Sequence, residues 1–127
     1  MRELSVKCRN NNLVLSVDVP PPYSFNEHYS QKELGEVVDY VIIMGYDEHY
    51  VGSDAGSVAS LSYERDGITG TLENVPKEKI ISGIPFYTRL WKTNASGEVS
   101  SEAIGMDKAD QILSDYKVTA GWSSETS

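Results

Sequence analysis

Tyr40-Val41-Ile42-Ile43-Met44-Gly45-Tyr46-Asp47 is the stretch on which the fold turns. It is apolar at odd and even positions alike as far as Met44. A strand with one wet face alternates apolar and polar residues, whereas a parallel strand covered by helices is buried on both faces. The second pattern fits, so helices are expected on either side of it. Upstream, Ser30-Gln31-Lys32-Glu33 has the capping-box spacing and predicts a short helix from Gln31 to about Val38. Downstream, the polar loop from Gly52 to Gly56 leads to a helix between about Ser62 and Asn74. There Ile68 and Leu72 stand four apart, and Gly67 and Gly70 weaken it.

Further out the alternation continues. Residues 2–9 read as a helix with Leu4 and Cys8 on one face, stopped by Asn10, Asn11 and Asn12. Leu13 to Val19 is strand by its β-branched content, ended by Pro20, Pro21 and Pro22. Val75-Pro76 closes the third helix, and Lys79 to Phe86 is a strand with Gly83 and Pro85 near its end. Helix, strand, helix, strand, helix, strand is the order of parallel βα units. After Trp91 the character changes. Thr93 to Ser101 is small and polar, then Met106, Ala109, Leu113 and Tyr116 follow helical spacing, and Lys117-Val118-Thr119 reads as a short strand. This is the expected start of an inserted lobe.

Length bounds the architecture. A closed barrel of eight strand–helix units takes roughly 250 residues, so 127 residues can supply only part of one. The chain is expected to be a piece of a longer protein. Met1 is followed at once by Arg2 and Glu3, which is no signal peptide, and any export signal would lie upstream. The compartment stays open, as it does from the single Cys8, which cannot form an internal disulfide. Nineteen acidic against eleven basic residues give a net charge of −8. Nucleic-acid backbones and anionic membrane surfaces both call for a basic face, so neither is an expected partner. No apolar run approaches the length of a membrane span.

Two segments carry chemistry. Period-2 alternation places Ile42, Met44 and Tyr46 on one side of their strand, with Asp47 where strand gives way to loop and Glu48 and His49 behind it. A phenol and a carboxylate together can orient a polar sugar and stabilise developing charge. Read alone, the same residues fit a solvated strand end. The second segment is Gly83-Ile84-Pro85-Phe86-Tyr87-Thr88-Arg89-Leu90-Trp91. Its aromatic rings suit the apolar face of a sugar and Arg89 its hydroxyls. Packing between the barrel and the inserted lobe would use the same aromatics.

The combination is more specific than either part. Met44-x-Tyr46-Asp47 followed by Lys79-Ile80-Ile81-x-Gly83-Ile84-Pro85-Phe86-Tyr87-x-Arg89 resembles strands six and seven of glycoside hydrolase family 18. Leu15-Ser16-Val17-Asp18-Val19-Pro20 resembles strand five. Val38-Asp39-Tyr40 through Asp47-Glu48-His49 is especially similar to the bacterial branch acting on spore cortex or peptidoglycan. The resemblance implies an α/β fold, a partial (β/α)₈ barrel in residues 1–92, and the start of a small α+β insertion lobe in residues 93–127. It implies hydrolysis of β-1,4 bonds beside N-acetylglucosamine in chitin or peptidoglycan, with the substrate's own acetamido group as nucleophile. On that resemblance Tyr46 and Asp47 are catalytic: Tyr46 hydrogen-bonds the acetamido group, and Asp47 lines the subsite of the distorted sugar. Met44 packs beneath that sugar, and Tyr87, Arg89 and Trp91 bind substrate. No cofactor and no metal is implied. The family's proton donor closes an Asp-x-x-Asp-x-Asp-x-Glu motif, and no such string occurs here; Asp107-Lys108-Ala109-Asp110 matches only its first four positions. The chain alone is therefore expected to be inactive, with self-association through exposed barrel edges. A glycan-binding, lectin-like member of the same fold is the alternative.

Overall fold

The computed structural model describes residues 1–23 and 29–124. In chain order its elements are α1 (Arg2–Asn10), β1 (Ser16–Val19), α2 (Gln31–Val37), β2 (Tyr40–Met44), α3 (Leu61–Leu72), a 3-10 turn at Lys77–Lys79, β3 (Ile80–Gly83), β4 (Tyr87–Thr93), β5 (Val99–Gly105) and α4 (Met106–Asp115). Two compact units result: Met1–Gly45 with Glu64–Gly83, and Tyr46–Tyr63 with Ile84–Ser127. Among the described residues no helix is long and apolar enough to cross a membrane.

The first unit holds a three-stranded sheet in the order β1-β2-β3, parallel throughout, with Val17 opposite Val41 and Val41 opposite Ile80. The α/β alternation expected of the sequence is present, although each strand is shorter than expected. Its core gathers Val19, Val38, Val41 and Val75, with Leu15, Val17, Leu34, Val37 and Ile80 packed against them. Along β2, Val41 and Ile43 are buried while Ile42 and Met44 are half-buried. The expectation of two equally buried faces is thus corrected: one face carries the core, and the other is only partly covered.

Local chemistry sets the helix ends. Asn12, at φ 55, takes the left-handed conformation that asparagine tolerates. Its N–H donates to Arg9 O and the next N–H, of Leu13, to Cys8 O, which closes α1 in a Schellman arrangement. Ser30 precedes α2 as expected, but its side chain makes no capping bond, so the capping box is not formed. The C-terminus of α2 is satisfied from a distance: Lys79 Nζ donates to Gly35 O at 2.7 Å and to Val38 O at 2.8 Å. In α3 the buried positions are Gly67 and Thr71, while Leu72 is exposed.

The second unit is built on an antiparallel hairpin that the sequence did not lead us to expect. β4 pairs with β5 from Tyr87 opposite Gly105 to Thr93 opposite Val99. Asn94 organises the turn: its Oδ1 accepts the N–H groups of Ser96 and Glu98. The strand expected at Lys117-Val118-Thr119 is absent. Lys117 adopts φ 53, its N–H donates to Ser114 O, and Val118 N–H donates to Leu113 O. Those residues terminate α4, so their backbone is not extended for pairing.

Candidate active site

Asp47 adopts φ 58, in the left-handed region. Aspartate, like asparagine, visits that region more readily than other residues with a Cβ, though less freely than glycine, and such conformations concentrate where a side chain must be aimed. Three side chains of β4 meet the segment that Asp47 begins. Alternation puts Tyr87, Arg89 and Trp91 on one side of the strand. Tyr87 Oη donates to Asp47 Oδ1 at 2.8 Å, and Arg89 Nη2 lies 3.5 Å from the same oxygen. Trp91 Nε1 donates to Gly56 O at 3.0 Å. The Tyr46 ring meets the Tyr87 ring edge-on, with centroids 6.4 Å apart.

Burial grades the cluster. The Arg89 side chain is 9% exposed and the Asp47 side chain 44%. Arg89 Nη1 also donates to Ser101 Oγ on β5 at 3.2 Å, and its Nε is buried with no hydrogen-bond partner among the described residues. The guanidinium is thus fixed from behind, while the carboxylate reaches solvent. Burial, the hydrogen bond to Asp47 and the charge of Asp47 push the Tyr87 phenol up from 10.0 to about 12, with Arg89 opposing and Tyr46 adding a little. Tyr87 therefore stays a hydrogen-bond donor through the neutral range. The result is an oriented carboxylate beside two phenol rings, able to accept from a hydroxyl or amide N–H of a neutral ligand.

Of the residues singled out in the sequence, Tyr46, Asp47, Tyr87 and Arg89 come together. Trp91 faces the same way, but its indole N–H is engaged by the loop. Met44 ends β2 in the first unit, half-buried. Phe86 is 85% exposed. Sequence reasoning missed Ser101, which fixes Arg89, and gave no part to Gly56 or to the Glu48–Ser60 pair, in which Ser60 N–H donates to Glu48 Oε2 at 2.6 Å. Contacts between small polar residues this far apart leave no periodic trace. Among the described residues no group of three or more His, Cys, Asp or Glu could hold a metal ion.

The sequence signature described as "Glycosyl hydrolases family 18" matches residues 1–127. The "Putative sporulation-specific glycosylase YdhD" of Bacillus subtilis (strain 168) is 32% identical over 129 residues, covering 98% of this chain and 31% of that protein. Its crystal structure superposes with a TM-score of 0.89 at 30% identity, over 98% of this chain and 43% of that one. A crystal structure of a chitinase from Chromobacterium violaceum ATCC 12472 shares the fold, with a TM-score of 0.85 at 24% identity, over 98% and 40% of the two chains. The mixed α/β fold is that of family structures, and the chain spans under half the length of these relatives.

Proposed function

This chain belongs to family 18 of the glycosyl hydrolases, and from that premise we propose that it forms part of a hydrolase cleaving β-1,4 bonds beside N-acetylglucosamine in chitin or peptidoglycan. The three parallel strands fit the fifth to seventh strands of a (β/α)₈ barrel, in which working residues lie at the carboxyl ends of strands. Residues 1–92 are then barrel and residues 93–127 the beginning of the inserted lobe.

The observation that carries the reading is the Asp47 carboxylate, held on Oδ1 by Tyr87 and Arg89 beside Tyr46. In substrate-assisted hydrolysis the acetamido oxygen attacks the anomeric carbon, and the positive charge that develops on that group needs an oriented partner. Asp47 supplies fixed negative charge in the subsite of the distorted sugar. Tyr46 hydrogen-bonds the acetamido group as it attacks. Tyr87, Arg89 and Trp91 hold the sugar in place. Protonation of the leaving oxygen falls to a Glu in an Asp-x-x-Asp-x-Asp-x-Glu segment, a string absent from these 127 residues.

The test has two arms. The 127-residue chain alone should not turn over chitooligosaccharides or muropeptides. In a polypeptide joining it to such a segment, Tyr46→Phe should lower kcat on the order of 100-fold with a smaller change in KM, because the bond matters most in the transition state. Turnover by the chain alone that disappears in Tyr46→Phe would refute the assignment of the acid, and an unchanged kcat would refute the role of Tyr46.

A further inference from the structure

Asp47 lacks glycine's freedom, so its left-handed backbone must be held by its surroundings. The next residue does this. Glu48 N–H donates to Val58 O at 2.9 Å. Its carboxylate accepts Ser60 N–H on Oε2 at 2.6 Å and the Ser60 hydroxyl on Oε1 at 3.1 Å. Ser60 and Val58 are both buried. The Ser60 hydroxyl also accepts Tyr63 N–H at 3.1 Å, so the pair is seated on the first turn of α3. One residue therefore ties the start of the 48–60 segment to its end, immediately after the left-handed aspartate. Charge-assisted bonds to a carboxylate are stronger than neutral ones, and a helix N-terminus favours negative charge.

We propose that Glu48 is the positioning residue for Asp47: it holds the turn that delivers the Asp47 carboxylate to Tyr87 and Arg89. The functional weight of this rests on reading that cluster as a glycan site, whereas the test below does not. A glutamate that served only to anchor α3 would affect stability and leave the Asp47–Tyr87 hydrogen bond intact. A positioning residue must move it.

Tyr87 reports the difference, since Asp47, Arg89 and Tyr46 are the titratable groups acting on its phenol. The experiment follows tyrosine 13Cζ resonances of the 127-residue chain through alkaline pH, with Tyr87→Phe assigning the signal, and the Asp47 13Cγ shift at neutral pH as a second measurement. In Glu48→Ala the Tyr87 midpoint should fall from about 12 by about one unit, a tenfold rise in its ionisation constant, and the Asp47 shift should change. Glu48→Asp, too short to reach Ser60, should behave alike. Glu48→Gln keeps an acceptor for Ser60 N–H and should retain both wild-type signals. Unmoved Tyr87 and Asp47 signals in a folded Glu48→Ala or Glu48→Asp chain would overturn the proposal. Global unfolding of both variants would also overturn it, because Glu48 would then serve the whole fold. Glycan binding enters none of these readouts, so failure of the glycan reading would leave this result standing.

Discussion

Asp47 Oδ1 receives a phenol and a guanidinium at once. Tyr87 sits near 10 in an unfolded chain and at about 12 when folded. A group whose pKa is raised on folding contributes stability in full below its unfolded value, and that contribution is lost as pH rises through the folded value. Tyr87→Phe should therefore cost about 1 kcal/mol near neutral pH, the worth of an ordinary hydrogen bond. Between about pH 10 and 12 the variant should lose less stability than the wild type. Urea melts at about pH 8 and pH 11 measure both, and equal losses in the two proteins would count against the Tyr87–Asp47 bond. Tyr46, Asp47, Tyr87 and Arg89 were legible as candidates because aromatic and charged residues cluster at two strand ends. Their partnership was not, since it joins residues 40 positions apart. Nor was the engagement of Trp91 by Gly56, because an indole in sequence looks equally suited to a sugar face and to a carbonyl.

Among the strands, β2 and β5 mark the extremes of legibility. β2 carries Val41 and Ile43 into the core and could be read at sight. β5 could not: of its residues Val99–Gly105 only Ile104 is buried, so neither a two-residue nor a helical period appears. The hairpin's one sequence signal is its turn, where Asn94 bonds Ser96 and Glu98 and Gly97 takes φ 86. The loop leading to α3 depends on close approach instead. A Cβ at Gly56 would collide with the imidazole of His49, whose Nδ1 lies 3.0 Å from Asp54 O. Gly56→Ala should push that ring away and disturb the carbonyl bonded by Trp91. Hydrogen exchange of the Trp91 indole N–H is expected to accelerate about tenfold, corresponding to ~1.4 kcal/mol of local stability, with little change in the β1-β2-β3 amides. Uniform acceleration across both units would show that Gly56 serves the fold at large.

For the whole molecule, the sheet order β1-β2-β3 leaves the outer edges of β1 and β3 without a strand partner among the described residues. Free edges present N–H and C=O groups in register and invite pairing with another chain. Apolar residues accompany them: Leu13 and Val14 before β1 and Ile81 within β3 are exposed. The residues that could blunt these edges are few: the exposed Asp18 within β1, Pro20, Pro21 and Pro22 after it, and Lys79 before β3. On the proposed barrel reading the same follows, since a closed barrel takes roughly 250 residues and this sequence has 127. The physical consequence is that the isolated polypeptide should associate. Its sheet edges offer backbone hydrogen bonds, and its exposed valine, leucine and isoleucine side chains add apolar area that association removes from water. Sedimentation velocity across a dilution series should show a weight-average coefficient that rises with concentration. Masking one edge should weaken the effect: Ile81→Lys places a charge on β3, where like charges in neighbouring copies would repel. A sharp 14.0 kDa monomer at every concentration, with a cooperative melt, would show that the edges are satisfied within one chain.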